Sequence, residues 1–108
     1  MIFAVETEAR SLSAFASAEE AIRHCKGLDV EAAVWLFWDD AGQPLEADFS
    51  VPNKRGLFRA THGVYSLVAA SPDHHAPLIE ALDEVVSFAG PAPFDAAAGV
   101  LAHLRSRR

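Results

Sequence analysis

Val34-Trp35-Leu36-Phe37-Trp38-Asp39-Asp40-Ala41-Gly42-Gln43-Pro44-Leu45-Glu46-Ala47-Asp48-Phe49 is the stretch from which the architecture can be read. Its first five residues are too apolar to alternate and too rich in branched and aromatic side chains for a surface helix. They predict a central strand covered on both faces. Asp39-Asp40-Ala41-Gly42 is turn chemistry. The chain should then return as a second strand from Leu45 to Phe49, with Leu45, Ala47 and Phe49 on one face and Glu46, Asp48 and Ser50 on the other.

Toward the N-terminus, Ile2-Phe3-Ala4-Val5 favours a strand that ends at the polar Glu6-Thr7-Glu8. Ser17 with Glu20 three residues on is a capping box, in which each side chain satisfies an otherwise unpaired amide at a helix start. Ala18, Ala21, Ile22 and Cys25 then form one apolar stripe, and Gly27 supplies a residue able to stop the helix in the left-handed region. Toward the C-terminus, residues 51–56 read as a polar loop. Leu57 to Ala60 and Val64 to Ala69 read as a hairpin around His62-Gly63, or as one long bulged strand. Pro77 suits the first position of a second helix that buries Leu78, Leu82, Val85 and Val86. After Gly90-Pro91-Ala92-Pro93, Asp95 can cap a third helix whose stripe is Ala97, Val100, Leu101 and Leu104, with Arg105, Arg107 and Arg108 at its dipole-favoured end.

This order, β-α-β-β-β-β-α-α, predicts a single α+β domain over 1–108. Its antiparallel or mixed sheet of 4–5 strands carries helices mainly on one face. A chain of 108 residues, 51% hydrophobic, can bury a real core. Its longest apolar run, Ala32 to Trp38, is far short of the roughly 20 residues needed to cross a bilayer, and no leader pattern opens it because no basic residue precedes Glu6. One cysteine, Cys25, leaves no internal disulfide, so a reducing, cytoplasmic setting is expected.

Few residues carry a chemistry. The five histidines lack the i, i+4 spacing that converges two ligands. His74-His75 are merely adjacent, so they read as surface histidines, and no metal is expected. Cys25 lies on an apolar stripe and reads as an inert buried thiol rather than a nucleophile. The glycines are scattered and form no phosphate cradle, so no nucleotide or other cofactor is implied. The basic residues cluster only at Lys54-Arg55 with Arg59 and at the C-terminus. With a net charge of -6, direct nucleic-acid binding is disfavoured, whereas a basic protein would be attracted.

The least random feature is acidic. Asp29, Glu31, Asp39, Asp40, Glu46 and Asp48 fall between positions 29 and 48 with no lysine or arginine among them. The plain reading is a solvated rim around a hairpin. The sharper one adds Trp35 or Trp38 as an aromatic anchor on the face that helices leave open, which is the composition of an interface core with a charged rim.

Ala21-Ile22, Cys25, Gly27, Asp29-Val30-Glu31, Trp35, Phe37, Asp39, Gly42 and Pro44-Leu45, continued by Arg55-Gly56 and Gly63-Val64-Tyr65, resemble small bacterial immunity proteins of polymorphic and contact-dependent toxin systems. The resemblance implies a non-enzymatic inhibitor that blocks a cognate toxin domain, often a basic nuclease, through an acidic surface. A different expectation is a homodimeric ligand-binding module or a minor enzyme, with Cys25, His62 and Tyr65 as its polar apparatus.

Overall fold

A computed structural model describes residues 1–56, 59–71 and 73–107. The chain is an α+β fold around a mixed sheet of six strands, with two more strands in a separate small ribbon. Ile2–Glu6 (β1) turns back as Ser11–Phe15 (β2), and two short helices follow, Ala18–His24 (α1) and Gly27–Glu31 (α2). Trp35–Trp38 (β3) and Pro44–Val51 (β4) form the hairpin expected from the opening stretch. Lys54–Arg55 (β5) and Ala60–Thr61 (β6) make the ribbon, and Val64–Ala69 (β7) returns to the sheet. Leu78–Ala81 (α3) runs into a 3-10 turn at Leu82–Glu84. Ser87–Phe88 (β8) and Ala97–Ser106 (α4) close the chain.

The sheet order is β7-β4-β3-β1-β2-β8, antiparallel throughout except for the parallel pair β2 and β8. Alternation along β1 and β3 builds two cores. Phe3, Val5, Leu12 and Trp38 point to one face, where Leu78, Leu82, Phe94, Val100 and Leu104 cover them. Ala4 and Phe37 point to the other, against Ala21 and Cys25, with Ile2, Phe15, Val30 and Trp35 packed around. Helices therefore flank both faces of β1 and β3. What stays open is the α3 and α4 side of the β4–β7 arm, where Asp48, Ser66 and Val68 are exposed. The molecule measures 46 Å along its longest axis against 25 and 23 Å across.

Several local expectations hold for the physical reasons that suggested them. The Glu20 amide donates to the Ser17 hydroxyl at 3.3 Å, and the Glu20 carboxylate accepts from the Ala16 amide. Gly42, at φ 80, makes the β3–β4 turn, and a Cβ there would lie 2.9 Å from a Leu104 methyl. Cys25 is fully buried as a free thiol. Burial, with a smaller contribution from the Asp29 charge, pushes it up to about 12, so hardly any thiolate exists at neutral pH.

Other elements differ. β2 was not anticipated, because Ser11-Leu12-Ser13-Ala14-Phe15 alternates only weakly, and β8 is too short to announce itself. Gly27 does not end α1; it begins α2, while Cys25 ends α1 in an extended conformation. β7 pairs with β4 rather than with the chain before it, and β6 pairs with β5. Leu57 and Phe58 of the expected hairpin lie outside the described residues. The helix after Pro77 lasts a single turn and a 3-10 turn, so Val86 does not share its buried face and is 70% exposed. The cap of α4 is Ala96 and not Asp95.

α2 ends in a Schellman motif: the Val34 amide donates to the Asp29 carbonyl and the Ala33 amide to the Val30 carbonyl. The left-handed position, φ 58, is held by Ala33 where glycine is ordinarily used. Ser17→Ala should therefore lower unfolding free energy by about 1 kcal/mol, whereas Ala33→Gly should leave it unchanged or raise it by up to about 1 kcal/mol. Urea denaturation measures both, and a loss at position 33 equal to that at position 17 would contradict the strain assigned to Ala33.

Candidate functional site

β3 pairs with β1 along all four of its residues but with β4 through only two, Phe37 with Leu45 and Trp38 with Pro44. β4 meanwhile continues to pair with β7 as far as Val51, with a bulge near its end. Beyond Phe37 the two strands part, and a cleft of about 240 Å³ opens between them. Trp35, Phe37, Leu45, Ala47 and Phe49 line it, all from the face that carries the α1 and α2 core. Val30, Glu31 and Ala33 come from α2 and its exit, and Glu46 and His74 complete the lining.

Polar contacts hold this geometry. The Asn53 side-chain amide donates to the Gly27 carbonyl at 3.0 Å and to the Glu31 carboxylate at 2.7 Å, and its oxygen accepts from the Gly63 amide at 2.7 Å. His62 Nδ1 accepts from the Leu28 amide at 3.1 Å. Together they fasten α2 to the far end of the β4–β7 arm, while its N-terminal neighbour α1 packs on β1, β2 and β7. The Thr7 hydroxyl donates to the Ala33 carbonyl at 3.0 Å, fixing the turn that delivers Trp35. Outside the cleft, His75 Nε2 donates to the Phe37 carbonyl at 2.9 Å, at the point where β3 and β4 separate.

The eight residues expected to form one acidic, aromatic surface are divided among five places, one of them the buried core that holds Trp38. Trp35 is half-buried beside the cleft, edge-on to His24 at 5.6 Å. Glu31 lines the cleft from α2 and Glu46 from the face of β4 that Asp48 shares, each with one basic neighbour, Arg55 at 3.9 Å and His74 at 3.6 Å. Asp29 is exposed on α2, and Asp48 is exposed on the opposite face of β4. Asp39 and Asp40 lie at the closed end of the hairpin. There the Asp39 carboxylate accepts from the Ala41 and Gln43 amides at 2.9 Å, as a turn requires.

Trp38 is a correction. It is 1% exposed, its indole N–H donates to the Ala76 carbonyl at 2.7 Å, and it cannot anchor a partner. Strand alternation put one tryptophan on each face but could not say that α3 and α4 cover the Trp38 side. The surface reading of His75 is also corrected: it is partly buried against Trp38, with ring centroids 5.0 Å apart. Its Nδ1 lies 2.6 Å from that of His74, closer than the roughly 3.3 Å that separates two ligands of a tetrahedral site with bonds of about 2.0 Å. Among the described residues, no group of three or more His, Cys, Asp or Glu is placed to hold a metal. Of the polar apparatus for a small enzyme, the Tyr65 hydroxyl donates to the Cys25 carbonyl, burial pushes the Tyr65 phenol up, and His62 caps α2.

Asp40 is the most engaged carboxylate. It accepts from His103 Nε2 at 2.8 Å and pairs with Arg107 at 2.9 Å and with the Met1 amino group at 3.6 Å. Burial pushes Asp40 up, but the hydrogen bond from His103 and the charges of the Met1 amino group and Arg107 outweigh it and hold the carboxyl below its ordinary range. Comparison with protein families, with curated proteins and with solved structures finds no match to this chain.

A carboxyl depressed in the folded chain adds stability above its unfolded pKa of about 3.9, and that stability is lost as pH falls through the folded value. Asp40→Asn should lower the melting temperature at neutral pH, with the gap to the parent closing as pH falls below the ordinary carboxylate range. Scanning calorimetry across that range checks it; a gap that persists in acid would assign the loss to packing instead of charge.

Proposed function

We propose that the protein is a stoichiometric, non-enzymatic inhibitor of the immunity-protein kind, and that it binds a basic toxin domain by seating an extended segment of it in the β3–β4 cleft. The observation that carries this reading is the split itself. An aromatic and aliphatic floor is bounded by two parting strands, and Glu31 and Glu46 add carboxylates to the lining. Parted strands leave main-chain groups for an incoming extended segment, and pockets for its alternate side chains supply selectivity. Trp35 is then the apolar anchor, and the carboxylates steer a cationic partner and set its register. A toxin of the nuclease class, itself basic, fits a chain of net charge -6. The reading puts the protein in the cytoplasm of the cell that makes the toxin, in keeping with a free buried thiol. No helix of the described residues is long and apolar enough to cross a membrane.

The test is calorimetric titration and stopped-flow association with the product of the adjoining gene. Trp35→Ala should weaken binding roughly 30-fold, mainly through faster dissociation. Glu31→Lys with Glu46→Lys should slow association, most of all at low salt, whereas Asp39→Asn should change neither rate. Unchanged affinity in both the Trp35 and the double lysine variants would reject the cleft.

A second reading, self-association, has one observation in its favour. β7 is an edge strand of six residues without charge or proline, and Val64 and Val68 on one of its faces are 58% and 37% exposed. Such an edge can pair with its own copy. Sedimentation equilibrium should then show a dimer that Val64→Lys with Val68→Lys dissociates; a monomer throughout the micromolar range for the parent chain would end this reading.

A further inference from the structure

The fold gathers positive charge that the sequence scatters. Of nine lysines and arginines in a chain of net charge -6, Arg23, Lys26, Lys54, Arg55 and Arg59 come from two distant segments to the junction of α1, α2 and the β5–β6 ribbon. Between the end of α1 and the β6–β7 turn lies a notch of about 270 Å³. Ile22, Val64 and Tyr65 give it an apolar lining, and Arg23, Lys26 and His62 a polar one. Its walls are tied together, because the Asn53 side chain donates to the Gly27 carbonyl and accepts from the Gly63 amide, and both glycines line the notch. His62 is held as well. Its Nδ1 accepts from the Leu28 amide at 3.1 Å, so the neutral ring carries its hydrogen on Nε2, and among the described residues that donor has no acceptor.

A helix end favours cations, which accounts for Arg23 in the last turn of α1. It does not account for Lys26, which lies beyond α1, or for His62, which arrives from the β6–β7 turn. In a chain with 15 acidic side chains, neither Arg23 nor Lys26 forms an ion pair among the described residues. Glu19 and Asp29, each about one helical turn away in sequence, do not close on them. The carbonyls of this helix end, which would repel an anion, are engaged. That of Ala21 accepts from the Cys25 amide, that of Cys25 from the Tyr65 hydroxyl, and that of Lys26 from the Val30 amide.

We propose that this notch binds a phosphate monoester, with Arg23, Lys26 and His62 holding the phosphate and Ile22, Val64 and Tyr65 receiving the organic group that carries it. Two formal cations and a fixed N–H donor match a group that bears nearly two negative charges and three acceptor oxygens. A carboxylate, with one charge and two oxygens, uses less of them. The apolar lining beside the cations gives an organic body a place that a bare ion leaves empty. Lys54, in register with Thr61 next to His62, and Arg59 beyond it draw anions toward the notch from the ribbon. The notch shares no lining residue with the β3–β4 cleft, so this site is independent of the partner cleft.

Phenyl phosphate titrated into nitrogen-15-labelled protein tests the site, at constant ionic strength and about pH 7.5, where a monoester is mainly the dianion. Backbone amide signals of residues 22–27 and 62–65 should shift and saturate. Benzoate should bind roughly tenfold more weakly, and inorganic phosphate also more weakly than phenyl phosphate. Arg23→Gln with Lys26→Gln should weaken phenyl phosphate by at least about tenfold. Arg10→Gln with Arg105→Gln, which removes the same charge elsewhere, should keep the parent affinity. His62→Gln retains a side-chain oxygen for the Leu28 amide and should weaken binding about two- to fivefold. All the replaced residues are exposed, so each variant should keep the dispersed spectrum of the folded chain. The absence of any saturable shift around the notch would overturn the site. Benzoate as tight as phenyl phosphate would overturn the preference for phosphate, and inorganic phosphate as tight would overturn the role of the apolar lining. Equal losses in the two double variants would reduce the effect to net charge and overturn the assignment of Arg23 and Lys26.

Discussion

Phe37 and Trp38 are neighbours on one strand, point to opposite faces of the sheet, and are both excluded from water. That pair of facts constrains everything else. A strand buried on both sides needs a layer on each, and a chain of this length has only short helices to supply them. α1 and α2 serve the Phe37 face, and α3, the 3-10 turn and α4 serve the Trp38 face. The indole N–H of Trp38 cannot be left unpaired inside, and its bond to the Ala76 carbonyl draws the β7–α3 loop across the end of the sheet. Because His75 belongs to that loop, the same bond brings its ring to the Phe37 carbonyl.

The cleft follows from how these layers are anchored. α1 bridges β1, β2 and β7, with the Tyr65 hydroxyl donating to the Cys25 carbonyl at its end. α2 lies between β3 and the far end of the β4–β7 arm, tied by Asn53 and His62 to the arm and by its Schellman turn to β3. Two strands anchored to different partners separate once their shared pairs end. A non-glycine residue in the left-handed region at Ala33 sits at this junction, where the chain must turn sharply into Trp35. Apolar side chains that would have been buried by continued pairing are left at the bottom of an opening with charged edges.

Charge is distributed to different ends for different purposes. At the closed end of the hairpin, Asp40 holds α4 and the N-terminus, and Asp39 shapes the turn. At the open end, Glu31 accepts from the Asn53 amide and lies 3.9 Å from Arg55, while Glu46 has the 3.6 Å approach of His74. The carboxylates are alike in composition and unlike in use, and only the second group borders an apolar surface.

The hairpin, the capping box at Ser17, the buried thiol and the stripe of α4 were legible in the sequence because each is decided by contacts between residues a few positions apart. Trp35, Glu31 and Glu46 were legible as site candidates for the same reason, as members of an acidic, aromatic stretch. The sequence could not tell them from Trp38, Asp39 and Asp40, since alternation assigns side chains to faces without saying which face a distant helix will cover. The histidine pair carried no signal at all: His74 and His75 are neighbours in the chain, and only the fold brings the Phe37 carbonyl to one and Glu46 near the other. Local periodicity determined the elements and the candidate surface, and long-range packing, through the layer that each buried aromatic demands, decided which residues remain at an open site.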